Sequence, residues 1–474
     1  MGFLETIKDH LQSFFMGRIY PVIVVLMMFC AYTTSTEAYI NVINLLLLSV
    51  GLLVTESIRP MIVVVASYLY QFSVKTAMPT PEGLEALFSG TSLTLYVVSF
   101  SVLILCFVIF FIKNGLLTKE NFKGLPMTLT SLILAVTMLL NGLFSDRYTL
   151  TSTLYGAFEV FTLVGIFYIF YLGLKNDSHE ELIGYFSYVT ALIAILIFAD
   201  TFFLYATGSE AFIVDGVFDR SLMLYGWGNV NTAGQCAAVL IPMCYYGVMR
   251  GKAPVFYFIC ASLAMAAAFL STSRNALLVG GTLYVACFLL CCFVGERRAG
   301  FAIFTSLTII VLGLAFYLFK DTTSIILDQY FQRGFENAGR FDLWEYAVEA
   351  FKESPILGKG FFGLWTDEYH LEWGFPTMLH NTILQLLACS GIVGFVGYAL
   401  HRAATVLPFI RKPNLEKTML GFSILAVLIG SLADNFVFYI PHMLYYPIAL
   451  ALAFKIYIDE DQGIRDYYNY ILHW

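Results

Sequence analysis

Long runs of apolar residues recur along almost the whole chain, separated by short polar turns. A helix needs about 20 apolar residues to cross the hydrocarbon core of a bilayer, and fourteen stretches approach this length. They lie at approximately 19–35, 38–56, 60–76, 91–112, 125–145, 149–174, 182–207, 230–249, 253–271, 275–295, 300–319, 381–401, 417–438 and 441–458. The pattern predicts an all-α fold, a polytopic transmembrane helical bundle of about 12–14 spans.

One large loop interrupts this pattern between residues 320 and 380. Within it, GRFDLWEYAVEAFKESP has the spacing of an amphipathic helix that ends before Pro355. Its apolar stripe consists of Trp344, Ala347, Val348 and Phe351. The Gly-rich segment ILGKGFFGLW follows, and we expect it to pack on the bilayer surface or on the top of the bundle. The chain thus divides into a transmembrane bundle of about eleven spans and two further parts. The three parts are 1–319, the extracytoplasmic loop 320–380, and the C-terminal spans with a cytoplasmic tail, 381–474.

The distribution of Lys and Arg predicts the orientation, because these residues stay on the cytoplasmic side of short loops. Fourteen spans with a cytoplasmic N-terminus place seventeen of the 26 basic residues inside and four outside, with five more in the long loop. Both termini are therefore expected in the cytoplasm and the 320–380 loop outside it. The first 18 residues have mixed charge and are expected to form an amphipathic lead-in helix, not a cleaved signal.

Composition excludes a single soluble domain, since 59% of residues are hydrophobic and only 12% are charged. The net charge of −7, without clustered Lys or Arg, gives no indication of nucleic-acid binding. Each of the nine cysteines falls in an apolar stretch, which predicts free thiols and no disulfide framework.

Four polar residues on the predicted outer side are candidates for chemistry. Arg274, in the short turn STSRNA, is energetically costly at that depth unless it is paired, so a functional role is favoured over a simple interfacial anchor. Arg340 opens the loop helix, where a positive charge opposes the helix dipole, so helix stability does not explain it. Arg220 follows Asp219, and a local surface ion pair is an equally good interpretation. His380 lies where the loop re-enters the membrane and could act as a base near neutral pH, or simply cap an interface.

Three acidic residues lie inside predicted spans: Glu159, Asp200 and Asp434. Each could belong to a proton or ion path, although simple pairing with another side chain is favoured for Glu159. Asp434, near the outer end of its span, could orient His380 or pair with an arginine, and Asp200 could do the same from its own span. The sequence has no Walker loop, dinucleotide fingerprint, His/Cys metal spacing or Gly-x-Ser-x-Gly elbow. Any chemistry is therefore expected to need no metal or cofactor, with arginines handling negative charge.

Four motifs occur in a characteristic order: STSRNALL on a tight outer turn, RFDLW, PILGKG, and HNTILQLLACSGIVG entering the next span. This set, within about residues 215–400, resembles the O-antigen ligase and O-antigen polymerase (Wzy-type) superfamily. The resemblance implies a glycosyltransferase of the bacterial cytoplasmic (inner) membrane, working on its outer face. Its donor would be an oligosaccharide on undecaprenyl diphosphate and its acceptor a glycan or lipid. A chain-length regulator or a flippase would be a further partner.

The resemblance also assigns site residues. Arg274 matches the arginine of the short turn, Arg340 the arginine opening the loop helix, and His380 with Asn381 the His-Asn pair at the transfer centre. Arg220 matches an arginine before an Asn-rich span start, although GNVNTAG lacks the usual proline between its asparagines. The arginines would meet the diphosphate, His380 would act on the sugar hydroxyl, and transfer would be metal-independent and inverting. A polymerase is favoured over a ligase because nothing marks a lipid A–core acceptor site.

Two other classes remain open. A lipid-linked oligosaccharide flippase or other transporter would show two related halves and charges at the membrane midplane, and the chain has no convincing internal repeat. A scaffold in a cell-envelope complex would use the long loop only to bind partners.

Overall fold

The computed structural model describes most of the chain. The described residues are 2–34, 36–71, 90–123, 125–208, 213–214, 217–218, 230–294, 340–364 and 378–460, with five isolated positions between 313 and 327. The helices are α1 (Gly2–Met16), α2 (Ile19–Thr34), α3 (Glu37–Val54), α4 (Arg59–Gln71), α5 (Gly90–Lys113), α6 (Lys119–Lys123), α7 (Thr128–Leu139), α8 (Leu150–Val160), α9 (Ile166–Gly173), α10 (His179–Gly208), α11 (Val230–Arg250), α12 (Pro254–Leu270), α13 (Arg274–Val294), α14 (Arg340–Glu353), α15 (Thr382–Thr405), α16 (Leu407–Ile410), α17 (Leu415–Gly430) and α18 (Ile440–Glu460). A π-helical turn, Phe161–Gly165, joins α8 to α9, and a 3₁₀ turn, Phe436–Phe438, precedes α18. Strands β1 (Ile213–Val214) and β2 (Val217–Phe218) pair antiparallel.

The helical bundle predicted from the apolar pattern is confirmed. Helices occupy thirteen of the fourteen predicted stretches, and the remaining one, 300–319, lies almost wholly outside the described residues. Among the described residues, six helices are long and apolar enough to cross a membrane, or seven if the bent pair α1–α2 forms one span. Helices α7 and α12 and most of α3 are apolar but shorter. All nine cysteines are free thiols, as predicted.

Helix α11 lies at the centre of the bundle. Nearly all of its residues are buried, and it packs against α10, α12, α13 and α17. Small residues permit this close approach: a Cβ on Gly247 would lie 2.2 Å from the Tyr257 ring of α12. Inside the packed centre, the Gln235 side chain donates to the Ala426 carbonyl of α17 at 2.7 Å, because a buried amide must be paired.

Basic residues predicted to be cytoplasmic gather at one end of the bundle. Arg59 pairs with Glu181 at 3.5 Å, Lys417 pairs with Glu460 at 2.8 Å, and the Lys455 ammonium donates to the Lys175 carbonyl. Helices α4, α10, α17 and α18 are therefore joined electrostatically at this end. The clustering is what the asymmetry of basic residues predicts.

The predicted span 381–401 is not a continuous helix. Helix α15 breaks at Gly391, whose φ of 63° and ψ of −165° suit only glycine. The N–H groups of Ile392 and Val393 donate to the Pro355 and Ile356 carbonyls instead of to their own helix.

The Gly-rich loop, residues 355–364, also donates hydrogen bonds back to the broken helix. Its Lys359 and Gly360 N–H groups donate to the Ala388 and Cys389 carbonyls, which the break leaves without helical donors, at 2.8 Å each. Two carbonyls and two N–H groups at the break are thus paired with the loop, as buried backbone requires. The loop therefore packs on the bundle beside α15, and its placement on the bilayer surface or the bundle top stays a prediction.

Two further details of the predictions are wrong. The predicted span 417–438 continues as a helix only to Gly430, after which a turn and the 3₁₀ segment carry the chain to α18. Loop helix α14 ends at Glu353 as Pro355 predicts, but its buried face is Leu343, Ala347 and Ala350. Val348, assigned to the apolar stripe, is 40% exposed.

Candidate functional site

The site is built around the turn that follows α17, residues 430–435, which we call the Asp434 turn. The start of α15 docks on it: the Thr382 N–H donates to the Ser431 carbonyl, and the Asn381 side chain donates to the Leu432 carbonyl. The Asn381 side-chain oxygen also caps α15 by accepting from the N–H groups at positions 383 and 384. Asn381 therefore fixes the start of the helix beside the turn.

His380 immediately precedes this cap and has a φ of 51°. A non-glycine residue in this left-handed region is uncommon and persists only where its surroundings hold it. Its side chain is 30% exposed, and its Nδ1 lies 2.8 Å from Oδ1 of Asp434, which is 1% exposed. The expectation that Asp434 orients His380 is met by this contact.

Asp434 fixes the tautomer of His380. Its Oδ1 also accepts from the Tyr439 hydroxyl at 2.7 Å and from the Asn435 N–H at 2.8 Å. Burial alone would raise the pKa of Asp434, but His380 and these donors hold the pKa below its ordinary value. An ionised carboxylate only accepts, so Nδ1 carries the proton and Nε2 keeps a lone pair in the neutral imidazole.

Arg340 approaches the other oxygen of the same carboxylate. Its Nη2 lies 4.0 Å from Asp434 Oδ2, longer than the ~2.8 Å of a charge-assisted hydrogen bond. The Arg340 side chain is 29% exposed. The buried charge explains an arginine at a helix start, and the guanidinium remains partly exposed.

Helix α13, which begins at Arg274, contacts the same turn as a third element. Arg274 is exposed, and its neighbour Asn275 donates to the Gly430 carbonyl at 3.0 Å. The preceding serines shape the turn: the Ser273 hydroxyl accepts from the Ala276 N–H and caps the helix. The STSRNA motif is therefore a cap and an anchor that present Arg274 beside the Asp434 turn.

Three of the predicted site residues thus lie on elements that converge on one turn, with Asn381 as the cap between them. Arg220 lies outside the described residues. Glu159 and Asp200 are buried in α8 and α10, with Glu159 near Arg402 and Asp200 near Tyr32. In the described part of the chain no group of three His, Cys, Asp or Glu side chains is arranged to hold a metal ion.

The sequence did not indicate several residues that support the site. The Trp344 indole donates to the Leu379 carbonyl at 3.0 Å, which ties α14 to the residue before His380. Tyr439 and Asn435 complete the surroundings of Asp434. For Trp344 a signal existed, because it belongs to the RFDLW motif, whereas Tyr439 and Asn435 lie in irregular backbone with no periodicity to single them out.

A second polar cluster lies at the far end of α14. The Lys359 ammonium, 7% exposed, bridges Glu353 at 2.7 Å and Asp146 at 3.2 Å. Burial alone would lower the pKa of Lys359, but the two carboxylates raise it above its ordinary value. The bridge holds the Gly-rich loop to the end of α14 and to the turn between α7 and α8.

These features define a multi-pass helical membrane protein with a His-Asp pair and two arginines gathered at one end of the bundle. Residues 258–399 match the family model described as O-Antigen ligase, and this segment contains Arg274, Arg340 and His380. The resemblance to the O-antigen ligase and polymerase superfamily is thereby confirmed over this region. A protein of Haemophilus influenzae described as uncharacterized is 27% identical over 214 residues, 40% of this chain. The alignment spans about half the length of that relative, 51%.

Proposed function

We propose that this protein is a membrane glycosyltransferase that acts on undecaprenyl-diphosphate-linked oligosaccharide at the outer face of the bacterial cytoplasmic membrane. Its acceptor is a glycan or a lipid. The observation that carries the proposal is the shared carboxylate of Asp434, which holds Nδ1 of His380 on one oxygen and faces Arg340 with the other. The family match over residues 258–399 supports the reaction class.

The His-Asp pair is suited to activate a hydroxyl group. Nε2 of His380 accepts the proton of the acceptor sugar hydroxyl as its oxygen attacks the anomeric carbon of the donor. The new C–O bond forms while the bond to the diphosphate oxygen breaks, and the electron pair leaves with the diphosphate. Asp434 stabilises the imidazolium that results, as a buried carboxylate does in hydrolase triads.

The arginines are suited to the leaving group. A diphosphate leaves without an acid when fixed positive charge meets its developing charge, and guanidinium groups stay charged and bind phosphate bidentately. Arg340 and Arg274 provide that charge from two different helices. Attack on the face opposite the diphosphate inverts the anomeric carbon, and no step requires a metal.

Polymerase and ligase differ only in the acceptor, and we favour the polymerase. To distinguish the two, the purified protein is reconstituted in liposomes and incubated with lipid-linked oligosaccharide from the native host. A polymerase gives a ladder of lengthening glycans on a gel, whereas a ligase needs a second, lipid acceptor. Movement of the donor across the bilayer without chain growth would instead indicate a flippase.

The first prediction concerns His380. We expect His380→Ala to lower the rate of glycan transfer by about 10²–10⁴-fold, the usual contribution of a general base, with donor binding retained through the arginines. Transfer is measured on the gel, and donor binding by co-purification of the lipid-linked oligosaccharide with the detergent-solubilised protein.

His10→Ala is the matched control, because His10 is exposed on α1, far from the site in sequence, and normal transfer is expected. Normal transfer by the His380 variant would overturn the proposed function.

A further inference from the structure

A buried glutamine links the two residues next to the His-Asp pair. Gln385 is 0% exposed and lies in the first turns of α15. Its side-chain oxygen accepts from the Leu379 N–H and from the Asn435 side-chain amide, both at 2.8 Å. Leu379 directly precedes His380, and Asn435 directly follows Asp434. One oxygen atom therefore joins the backbone beside the imidazole to the side chain beside the carboxylate.

The orientation of this amide follows from its partners. A backbone N–H can only donate, so the atom facing Leu379 must be the oxygen of Gln385. Asn435 must then turn its NH₂ group toward the same oxygen, and the NH₂ group of Gln385 points to Cys389 Sγ at 3.2 Å. The Leu379 N–H thus fixes the orientation of the Gln385 amide, which in turn fixes the orientation of the Asn435 amide.

The link matters because His380 has a strained backbone. A residue with a φ of 51° keeps that conformation only if its neighbours are held. Trp344 holds the Leu379 carbonyl, and Gln385 holds the Leu379 N–H. Of these two residues, Gln385 alone also contacts the Asp434 turn, so it sets the position of the imidazole relative to its carboxylate.

We propose that Gln385 is a positioning residue for glycosyl transfer, acting on the reaction through the alignment of His380 with Asp434. The inference rests on the function proposed above. Gln385 does not reach the substrate itself, because it is fully buried. Its loss should therefore lower turnover and leave donor affinity unchanged.

The test compares Gln385→Met with the unaltered protein in the liposome assay. Methionine keeps the length and unbranched shape of glutamine but has no strong acceptor, so Leu379 and Asn435 lose their shared partner. We expect kcat to fall by about tenfold to a hundredfold, the effect of a small misplacement of a catalytic group. KM for the lipid-linked oligosaccharide should change by less than about twofold if only transition-state interactions are lost.

Two further variants separate positioning from general packing. Gln385→Glu keeps an oxygen that accepts from both donors, and in its neutral form it is nearly isosteric with glutamine, so it should recover most of the kcat lost in the methionine variant. Asn44→Leu removes a different buried amide, in α3, and should leave kcat unchanged. Thermal unfolding of each detergent-solubilised variant checks that it is folded.

Each outcome supports or overturns the proposed role of Gln385. Equal kcat in Gln385→Met and in the unaltered protein overturns the inference, as does equal loss in the methionine and glutamate variants. A rise in KM with kcat unchanged would assign Gln385 to binding and also overturns it. If His380→Ala is active the proposed function fails, whereas an inactive His380→Ala with an unaffected Gln385→Met removes only this inference.

Discussion

Asp434 is the residue on which the geometry of the site depends. Its Oδ1 accepts from His380, Tyr439 and Asn435, while Oδ2 faces Arg340. A carboxylate that is 1% exposed is stable only with such donors, since burying an unpaired charge is very costly. The same contacts that keep it ionised also aim the imidazole.

Replacing this carboxylate by an amide tests the tautomer. In Asp434→Asn the side chain can donate through its NH₂ group, so Nδ1 of His380 is no longer forced to carry the proton and Nε2 is no longer kept as the base. We expect transfer to fall by at least about a hundredfold, given that the equivalent change in a serine-protease triad costs about 10⁴. The measurement is the initial rate of glycan growth.

Tyr439→Phe is the matched comparison for this prediction. It removes one donor to Asp434 Oδ1 but leaves the His380 contact and the negative charge, so the rate should fall by much less. Equal losses in the two variants would contradict the tautomer argument.

For single residues, the sequence indicated the charged residues of the site but not the uncharged residues that hold them in place. Arg340 was conspicuous because a positive charge at a helix start needs a reason other than the helix, and Asp434 supplies that reason. Gln385 and Tyr439 are ordinary residues of a membrane helix and an aromatic-rich turn. Their importance arises from hydrogen bonds between segments distant in the chain, which no local pattern encodes.

Among the secondary-structure elements, the interrupted helix α15 departs most from expectation. The apolar run 381–401 satisfies every compositional requirement of a span, and the two glycines in ACSGIVG do not predict a break. The break depends on the Gly-rich loop, which supplies two donors and two acceptors from outside the helix. Tertiary partners thus overrode the local preference for a continuous helix.

Gly391→Ala tests the dependence of the loop on the break. A Cβ at this position would lie 2.3 Å from the Ile356 carbonyl oxygen, and the backbone has a φ of +63°. Such backbone conformations cost about 1–3 kcal/mol for other residues, and the contact adds to that cost. We expect a clearly lower midpoint of thermal unfolding, together with reduced glycan transfer.

Gly184→Ala provides the comparison, because a Cβ there meets no atom within 4 Å and the residue lies inside α10. Alanine is favoured over glycine in a helix, so this variant should be as stable as the unaltered protein or more so. A Gly391→Ala protein with the same unfolding midpoint as Gly184→Ala would show that the loop does not need the glycine conformation.

For the whole molecule, charge is segregated between two ends of the bundle. One end carries the ion pairs of Arg59, Lys417 and Lys455, the last with Asp459, and the other carries the Asp434 turn and the Lys359 bridge. The approximate positions of most helices followed from hydropathy, because lipid requires every span to be long and apolar. The packing order around α11 did not, since apolar surfaces alone do not specify which helices meet.

The orientation in the membrane is tested by labelling two exposed basic positions. The two substitutions are Arg147→Cys, in the turn that carries Asp146, and Lys119→Cys, in α6. In intact spheroplasts a membrane-impermeant maleimide should label only position 147, and position 119 should react after permeabilisation. Cys30, the exposed native thiol, is first replaced by serine.

Labelling of position 119 in intact spheroplasts would show that the orientation is the opposite of the predicted one. It would place the Asp434 turn in the cytoplasm, where the proposed donor does not lie.

The reciprocal backbone hydrogen bonds between α15 and the Gly-rich loop also constrain how the protein is made. When this span leaves the ribosome, its carbonyls at Ala388 and Cys389 can find their N–H donors only on a segment synthesised earlier. That segment must already have folded back beside the span before the span can settle in lipid. Biogenesis is therefore expected to pause here, with late insertion of this helix as a step of its own.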